Sequence, residues 1–214
     1  MTPAELRARM VARQLIARGI TDPRILAAFA RVPRERFVPG DQLAHAYDDM
    51  PLPIGEGQTI SQPYVVALTI EALRLPANAK VLEIGTGSGY AAAILGTIAR
   101  EVVTIERIGA LAEVAAARLA AMELSNVEVH HADGSLGWPA RAPYDGIAVA
   151  AGAPRPPASL LAQLAIGGRL VLPTGSLDEQ HLLWLERRDE HTYVERDLGE
   201  VRFVPLVGAE GWPG

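Results

Sequence analysis

The chain has 214 residues, 49% of them apolar, a formal charge of −5 and no cysteine. That size and apolar content suit one domain with a sizeable core, the negative balance argues against a broad polyanion-binding face, and the missing thiols exclude disulfides, thiolate metal sites and a cysteine nucleophile. No stretch reaches the ~18 uninterrupted apolar residues of a membrane span, and the N-terminus lacks the apolar core of a secretory signal, so a soluble cytoplasmic protein is the expectation.

Among the basic residues only Lys80 is lysine. The arginines are scattered, which reads as coding bias in a GC-rich genome and not as an RNA-binding surface. Thr2-Pro3-Ala4-Glu5 has the form of a capping box with proline at the first helical position. It predicts a helix through Leu6, Met10 and Leu15 that stops at Gly19. Asp22-Pro23 starts a second helix that ends before Pro33. Residues 33 to 63 are rich in Pro, Gly and turn formers and predict a long segment without regular structure. The apolar content of that segment (Phe37, Tyr47, Leu52, Ile54) predicts that it is ordered and packed. A helical pattern from residue 63 then leads into strands at 80–84, 102–106, 127–131, 144–149 and 169–173, with helices near 90–99, 108–122 and 158–165. The alternation predicts a doubly wound, mostly parallel α/β sheet with an N-terminal helical extension. Three segments in the tail, HLLWLERR, HTYVERDLG and VRFVPLVG, are strand-like with no helix between them and predict antiparallel strands. The chain divides into 1–62, a core at 63–175 and a tail at 176–214, all read as a single domain at 1–214.

The most informative stretch is VLEIGTGSGY at 81–90, an apolar run, the acid Glu83, then glycines at 85, 87 and 89. Such a strand-to-helix turn is a usual place to hold an adenosine cofactor, because Gly85, Gly87 and Gly89 accept positive φ and let a ligand approach the backbone. Glu106 ends the next apolar run, about twenty residues on, where an acid holds a ribose hydroxyl pair. A dinucleotide fingerprint would need glycine at position 90, which is Tyr90, and no acid–base pair for hydride transfer is evident. The pattern E-x-G-x-G-x-G resembles the first motif of S-adenosylmethionine-dependent methyltransferases. That resemblance implies a cofactor site of Glu83, Gly85, Thr86, Gly87, Ser88, Gly89, Glu106 and Arg107. It also implies Asp133 and Gly134 after the third strand, beside the adenine. His130, His131 and Asp133 have ligand chemistry, but adjacent strand residues point to opposite faces and no further acid or histidine completes a shell, so no metal is expected.

IGEGQTISQPYVVA (54–67), YDGIAVAAGAPRPPASLLAQLAIGGRLVLPTG (144–175), VRFVPLVG (201–208) and PRERFVP (33–39) together resemble the protein-L-isoaspartate O-methyltransferase family across nearly the whole chain. The resemblance implies a repair enzyme. It would transfer the methyl group of S-adenosylmethionine to the α-carboxylate of L-isoaspartyl residues in damaged proteins and peptides. The ester closes to a succinimide that opens partly to aspartate, and the cofactor leaves as S-adenosyl-L-homocysteine. Ser61 matches the family's active-site serine; Thr59, Ile60 and Gln62 then line the same pocket. Val204, Pro205 and Leu206 match a segment that binds peptide through its backbone, a mode that tolerates varied side chains. Two segments depart from the family: VAAGAP carries Ala150 and Gly152 where Thr and Ala are common, and HADG puts Ala132 at a usual glycine.

The chemistry fits what the sequence lacks. A carboxylate of pKa ~4 is ionised at pH 7, so no general base is needed to make it a nucleophile. Ser61 has no G-x-S-x-G context and is read as orienting the carboxylate, although its spacing from Pro63 also suits an N-cap of the following helix. Other readings remain: a methyltransferase of RNA or a small molecule, which predicts a base-stacking motif or a basic face, or a non-catalytic cofactor-binding module, which predicts damage at Ser61 or the glycines. Isoaspartyl proteins are the expected partners, with no nucleic acid, no membrane and a monomeric enzyme.

Overall fold

A computed structural model describes residues 1–213. The Thr2 hydroxyl accepts the Glu5 N–H (3.3 Å) and the Glu5 carboxylate accepts the Thr2 N–H (2.7 Å), starting α1 (Pro3–Met10). The helix continues through a wider turn and a tighter one until Gly19 takes the left-handed conformation at φ 93°. Asp22 caps α2 (Pro23–Arg31) through the Arg24 N–H. The segment 33–63 is ordered but does contain regular structure: two short 3₁₀ turns and an antiparallel hairpin, β1 (Leu52–Gly55) and β2 (Gln58–Ile60). Its turn is Gly55-Glu56-Gly57, with φ of 92°, 51° and 68°. Two glycines flanking an acid are a hairpin signal. The strands beside it are so short and proline-broken that no alternation shows.

Next come α3 (Pro63–Leu73), β3 (Lys80–Ile84), α4 (Tyr90–Ile98), β4 (Glu101–Glu106), α5 (Gly109–Ala121), β5 (Val127–His131), β6 (Tyr144–Val149), α6 (Ala158–Ala162), β7 (Leu164–Gly175), β8 (Gln180–Arg187) and β9 (Tyr193–Val201). The main sheet has the order β5-β4-β3-β6-β7-β8-β9. β5 to β7 across β3 are parallel, and β8 and β9 close the sheet antiparallel. Side chains alternate across it: Val81 and Val102 face the layer of α1 to α4, while Leu82 and Val103 join the opposite core with Leu160 of α6. The first core runs from Met10 to Trp184, so the N-terminal extension packs on the same sheet face as α3 and α4.

Two further sequence expectations are corrected. Helix α6 stops at Ala162 instead of running to 165, and β7 begins at Leu164, because Leu164 pairs with Tyr144 of β6. Its apolar spacing from Leu160 imitates a helical repeat, although both leucines are fully buried in different elements. The tail contributes two antiparallel strands, not three. After Val201 the segment 203–206 leaves the sheet and makes only an isolated parallel bridge with Gly152. Pro205 cannot donate to a ladder, and both backbone groups of Phe203 bond the Gln180 side chain (2.8 and 3.1 Å) in place of a strand.

Candidate active site

The order of the sheet reverses at β3, whose neighbours β4 and β6 lie to either side, and ligands of open parallel sheets bind at the carboxyl ends of strands at such a point. A cleft with an empty volume of about 930 Å³ lies there. Gly85 to Ser88, Ile105 to Ile108 and Gly134 form one wall; Gln58 to Ser61 and Val204 to Val207 form the other. Gly85, Gly87 and Gly89 all have positive φ (90°, 53° and 89°). A Cβ on Gly85 would sit 3.4 Å from the Ala150 methyl, and one on Gly134 would sit 2.5 Å from Ile84. The loop is thus both turned and tightly backed. Glu106 ends β4 with its carboxylate set by two backbone donors, Gly87 N–H to Oε2 (2.8 Å) and Ile108 N–H to Oε1 (2.9 Å). Because it is only 7% exposed, it offers an oriented acceptor at the cleft wall. Thr86, Gly87, Ser88 and Arg107 also line the cleft.

Other sequence-assigned residues stand elsewhere. Gly89 is the N-cap of α4, and its Cβ would lie 3.3 Å from the Ala115 methyl, so it serves helix packing. Glu83 is paired with Thr104 of β4 and Ala148 of β6. It therefore shares the face of Val81 and points into the layer behind the loop instead of into the cleft. Its Oε2 lies 2.5 Å from the Thr104 hydroxyl, which in turn lies 2.6 Å from the Thr86 hydroxyl, so the three groups form one buried hydrogen-bonded chain. Oε1 has no partner. Burial, with the Glu106 charge adding and the Thr104 bond opposing, pushes this carboxyl up to about 8. Asp133 does not line the cleft; it holds the tail. Its Oδ1 accepts from the N–H and hydroxyl of Ser135 (2.9 and 2.7 Å) and its Oδ2 from the Ala209 N–H (2.8 Å). Burial works against ionisation, but these bonds outweigh it and hold the carboxyl below the usual range. His130 stacks on Trp138 at 4.1 Å. His131 must carry its proton on Nε2, which meets the Arg107 carbonyl at 3.0 Å. The two rings do different jobs, and no group of three metal-binding side chains occurs among the described residues.

The hairpin brings in the other wall. Ile54 lies against the glycine loop, 3.4 Å from where a Gly87 Cβ would be. Thr59, Ile60 and Ser61 follow the turn into the cleft, and Gln62 is the N-cap residue of α3. No side chain caps that helix, so the Ser61 hydroxyl is not spent as an N-cap. The Gln62 amide donates to the Asp49 carbonyl (3.0 Å) and lines a second cavity of about 1010 Å³ beyond Ser61, with Pro51, Val65 and Glu200 to Val204. Thr59, Ser61, Ala150 and Val204 line both cavities. The 203–206 segment spends the Val204 carbonyl and the Leu206 N–H on Gly152 (both 2.8 Å).

A model of the family described as protein-L-isoaspartate(D-aspartate) O-methyltransferase matches residues 6–211. The chain belongs to this family. It is therefore an enzyme, a methyltransferase that uses S-adenosylmethionine, and the alternatives outside this class fall away. The protein-L-isoaspartate O-methyltransferase 1 of Rhodopseudomonas palustris strain HaA2 is 60% identical over 210 residues, 98% of this chain and 86% of that one. A Marinobacter nauticus relative of the same description, numbered 2, is 55% identical over 98% of this chain and 96% of its own. Among solved structures, a protein-L-isoaspartate O-methyltransferase superposes with a TM-score of 0.87 at 31% identity, covering 96% of this chain and 67% of the other. A Plasmodium falciparum structure in complex with S-adenosyl-L-homocysteine shares the fold, with a TM-score of 0.81 at 23% identity over 94% and 98% of the two chains.

The sequence reading missed residues whose signal is only three-dimensional. Val66, Ile108 and Ala151 line the first cavity, and Glu200 to Phe203 the second, as ordinary apolar or surface residues of their elements. Tyr90 was visible only as the residue that breaks a dinucleotide motif; it is 1% exposed, and it packs edge-on against Phe29 and Phe37 of the N-terminal extension.

Proposed function

We propose that the cleft is the transfer site for methylation of L-isoaspartyl α-carboxylates in damaged proteins and peptides, and that Ser61 orients the acceptor. The observation that carries this reading is the position of Ser61 on the partition between the two cavities. When bound, S-adenosylmethionine supplies a methyl group on an electron-poor sulfonium. Gly85, Gly87 and Gly134 line the space it would take, and Glu106 presents an oriented acceptor to its ribose. An α-carboxylate arrives already ionised at neutral pH, so the protein has only to aim it and to strip its water. The Ser61 hydroxyl, with its proton, donates to one carboxylate oxygen without neutralising it. On the neighbouring segment, Val204 N–H and the Pro205 carbonyl are the backbone groups left over once Gly152 is satisfied, and they suit an extended peptide. The next residue's amide nitrogen attacks the ester carbonyl and expels methanol, and water opens the resulting succinimide partly to normal aspartate, which is the repair.

The reading extends to residues 1–214 working as one domain, supported by the continuous first core. It also extends to a cytoplasmic monomer without a nucleic-acid partner; scattered arginines support the last of these. No helix among the described residues is long and apolar enough to cross a membrane. The test is methyl transfer from labelled S-adenosylmethionine to matched peptides, one with L-isoaspartate and one with L-aspartate. Base-labile label in the first alone is expected; equal labelling, or none with folded protein, would sink the reading.

A further inference from the structure

Gln180 sits at the start of β8, 4% exposed and lining neither cavity. Its amide meets Phe203 as a strand would: Oε1 accepts the Phe203 N–H at 2.8 Å, and Nε2 donates to the Phe203 carbonyl at 3.1 Å. One residue later the same segment is gripped from the other side by Gly152, whose N–H donates to the Val204 carbonyl and whose carbonyl accepts the Leu206 N–H. The two grips share one space. A Cβ on Gly152 would lie 2.7 Å from Nε2 and 2.8 Å from Cδ of Gln180. The methyl group that this chain lacks at Gly152, noted in the sequence as a departure, is therefore the room that the Gln180 amide fills. Beyond these contacts, only the Trp212 N–H to the Leu206 carbonyl (2.7 Å) ties the segment to the described residues through its backbone.

Phe203 and Val204 form part of the wall of the second cavity. We propose that Gln180 is a positioning residue that sets the register of the 203–206 segment, and through it the fit of the acceptor peptide. This rests on the placement of the acceptor peptide beside Ser61 and along Val204 and Pro205 proposed above. Gln180 touches neither substrate nor cofactor; it replaces the strand that Pro205 prevents. Because the side-chain amide supplies a donor and an acceptor together, neither alanine nor an apolar isostere can take its place.

The experiment measures steady-state kinetics on an isoaspartyl peptide and cofactor affinity by titration for Gln180→Leu, Gln180→Glu, Gly152→Ala, Gly152→Ala/Gln180→Ala and Gln180→Ala. Loss of two hydrogen bonds predicts that Q180L raises the peptide KM about tenfold, with a smaller change in kcat and no change in cofactor affinity. A protonated glutamic acid can accept and donate as the amide does, whereas the carboxylate repels the Phe203 carbonyl. The KM of Q180E should therefore fall toward that of the parent as pH drops, with no such trend in Q180L. G152A should raise KM by displacing the amide, and the double variant should be no worse than Q180A. An unchanged KM in Q180L, or a loss of cofactor affinity equal to the rise in KM, overturns the proposal. Val204→Trp separates the two readings. If it leaves the peptide KM unchanged, the acceptor lies elsewhere and both fall. If it raises KM while Q180L does not, only the role of Gln180 falls.

Discussion

The two walls of the cleft are built in different ways. The donor side stands on regular backbone: the ends of the parallel strands β3, β4 and β5, glycines at positive φ and a carboxylate fixed by main-chain N–H groups. The acceptor side has almost no ladder of its own. A short hairpin stands beside an irregular tail segment that, apart from main-chain bonds to Gly152 and Trp212, is held by side chains, with Gln180 on Phe203, Asp133 on Ala209, and Glu210 bonded to Ser159 at 2.6 and 2.8 Å. The donor must be held the same way in every turnover, whereas the acceptor differs with each damaged chain. A rigid wall facing a strapped one suits that division of work.

Variants can break this comparison one side at a time. The largest effect is expected on the donor wall. Gly85→Val forces a branched side chain to φ near +90° and against Ala150, a strain of about 1–3 kcal/mol, so calorimetric titration should show cofactor binding weakened by up to roughly a hundredfold. On the partition, Ser61→Ala removes a bond to a charged group worth about 1.5–3 kcal/mol; turnover should fall at least tenfold while cofactor affinity holds. Loss of cofactor binding in that variant would move Ser61 to the other wall. Behind the donor loop, Glu83 carries its proton more tightly in the folded chain than in the unfolded one. The folded state then binds more protons between the ordinary glutamate value and about 8, so this contribution to stability is full at low pH and declines as pH rises through that window. Glu83→Gln should flatten the decline, which amounts to a few kcal/mol in all at about 1.4 kcal/mol for each tenfold difference in proton affinity, in denaturant midpoints measured across pH. The smallest effect is on the tail. Asp133→Ala leaves the Ala209 N–H and Ser135 without their acceptor and should loosen residues 207–212 by about 1–2 kcal/mol, seen as faster amide exchange there with little change in cofactor affinity.

The same division explains what could be read in the sequence. The donor side is local: VLEIGTGSGY carries its strand, turn and helix start within ten residues, and Glu106 falls at a fixed place on the next strand. The acceptor side is non-local. Nothing near Gln180 announces a partner at Phe203, 23 residues on, and nothing near Asp133 announces Ala209, 76 residues on. Glu83 shows the limit of a motif. Its place in E-x-G-x-G-x-G aligns it with cofactor residues, but the strand's two-residue alternation turns its carboxyl into the interior beside Thr104. VRFVPLVG failed as a strand because alternation in a sequence does not reveal that a side chain already occupies the edge.

The clamp on Asp133 bears on how the protein itself ages. Asp133-Gly134 and Asp145-Gly146 are its two Asp-Gly pairs, and glycine puts no side chain in the way of its own nitrogen attacking the preceding carboxyl group. Asp133 is held by three donors and kept ionised, a poor electrophile, while Asp145 accepts the Lys80 N–H at 2.7 Å and lies in the strand beside β3. Hydrogen bonds to main-chain donors thus restrain both carboxylates, which ring closure must turn onto the following nitrogen. Peptide mapping after long incubation should find the folded chain free of isoaspartate at either position, and the unfolded chain accumulating it at both: the enzyme's fold spares it the lesion it mends.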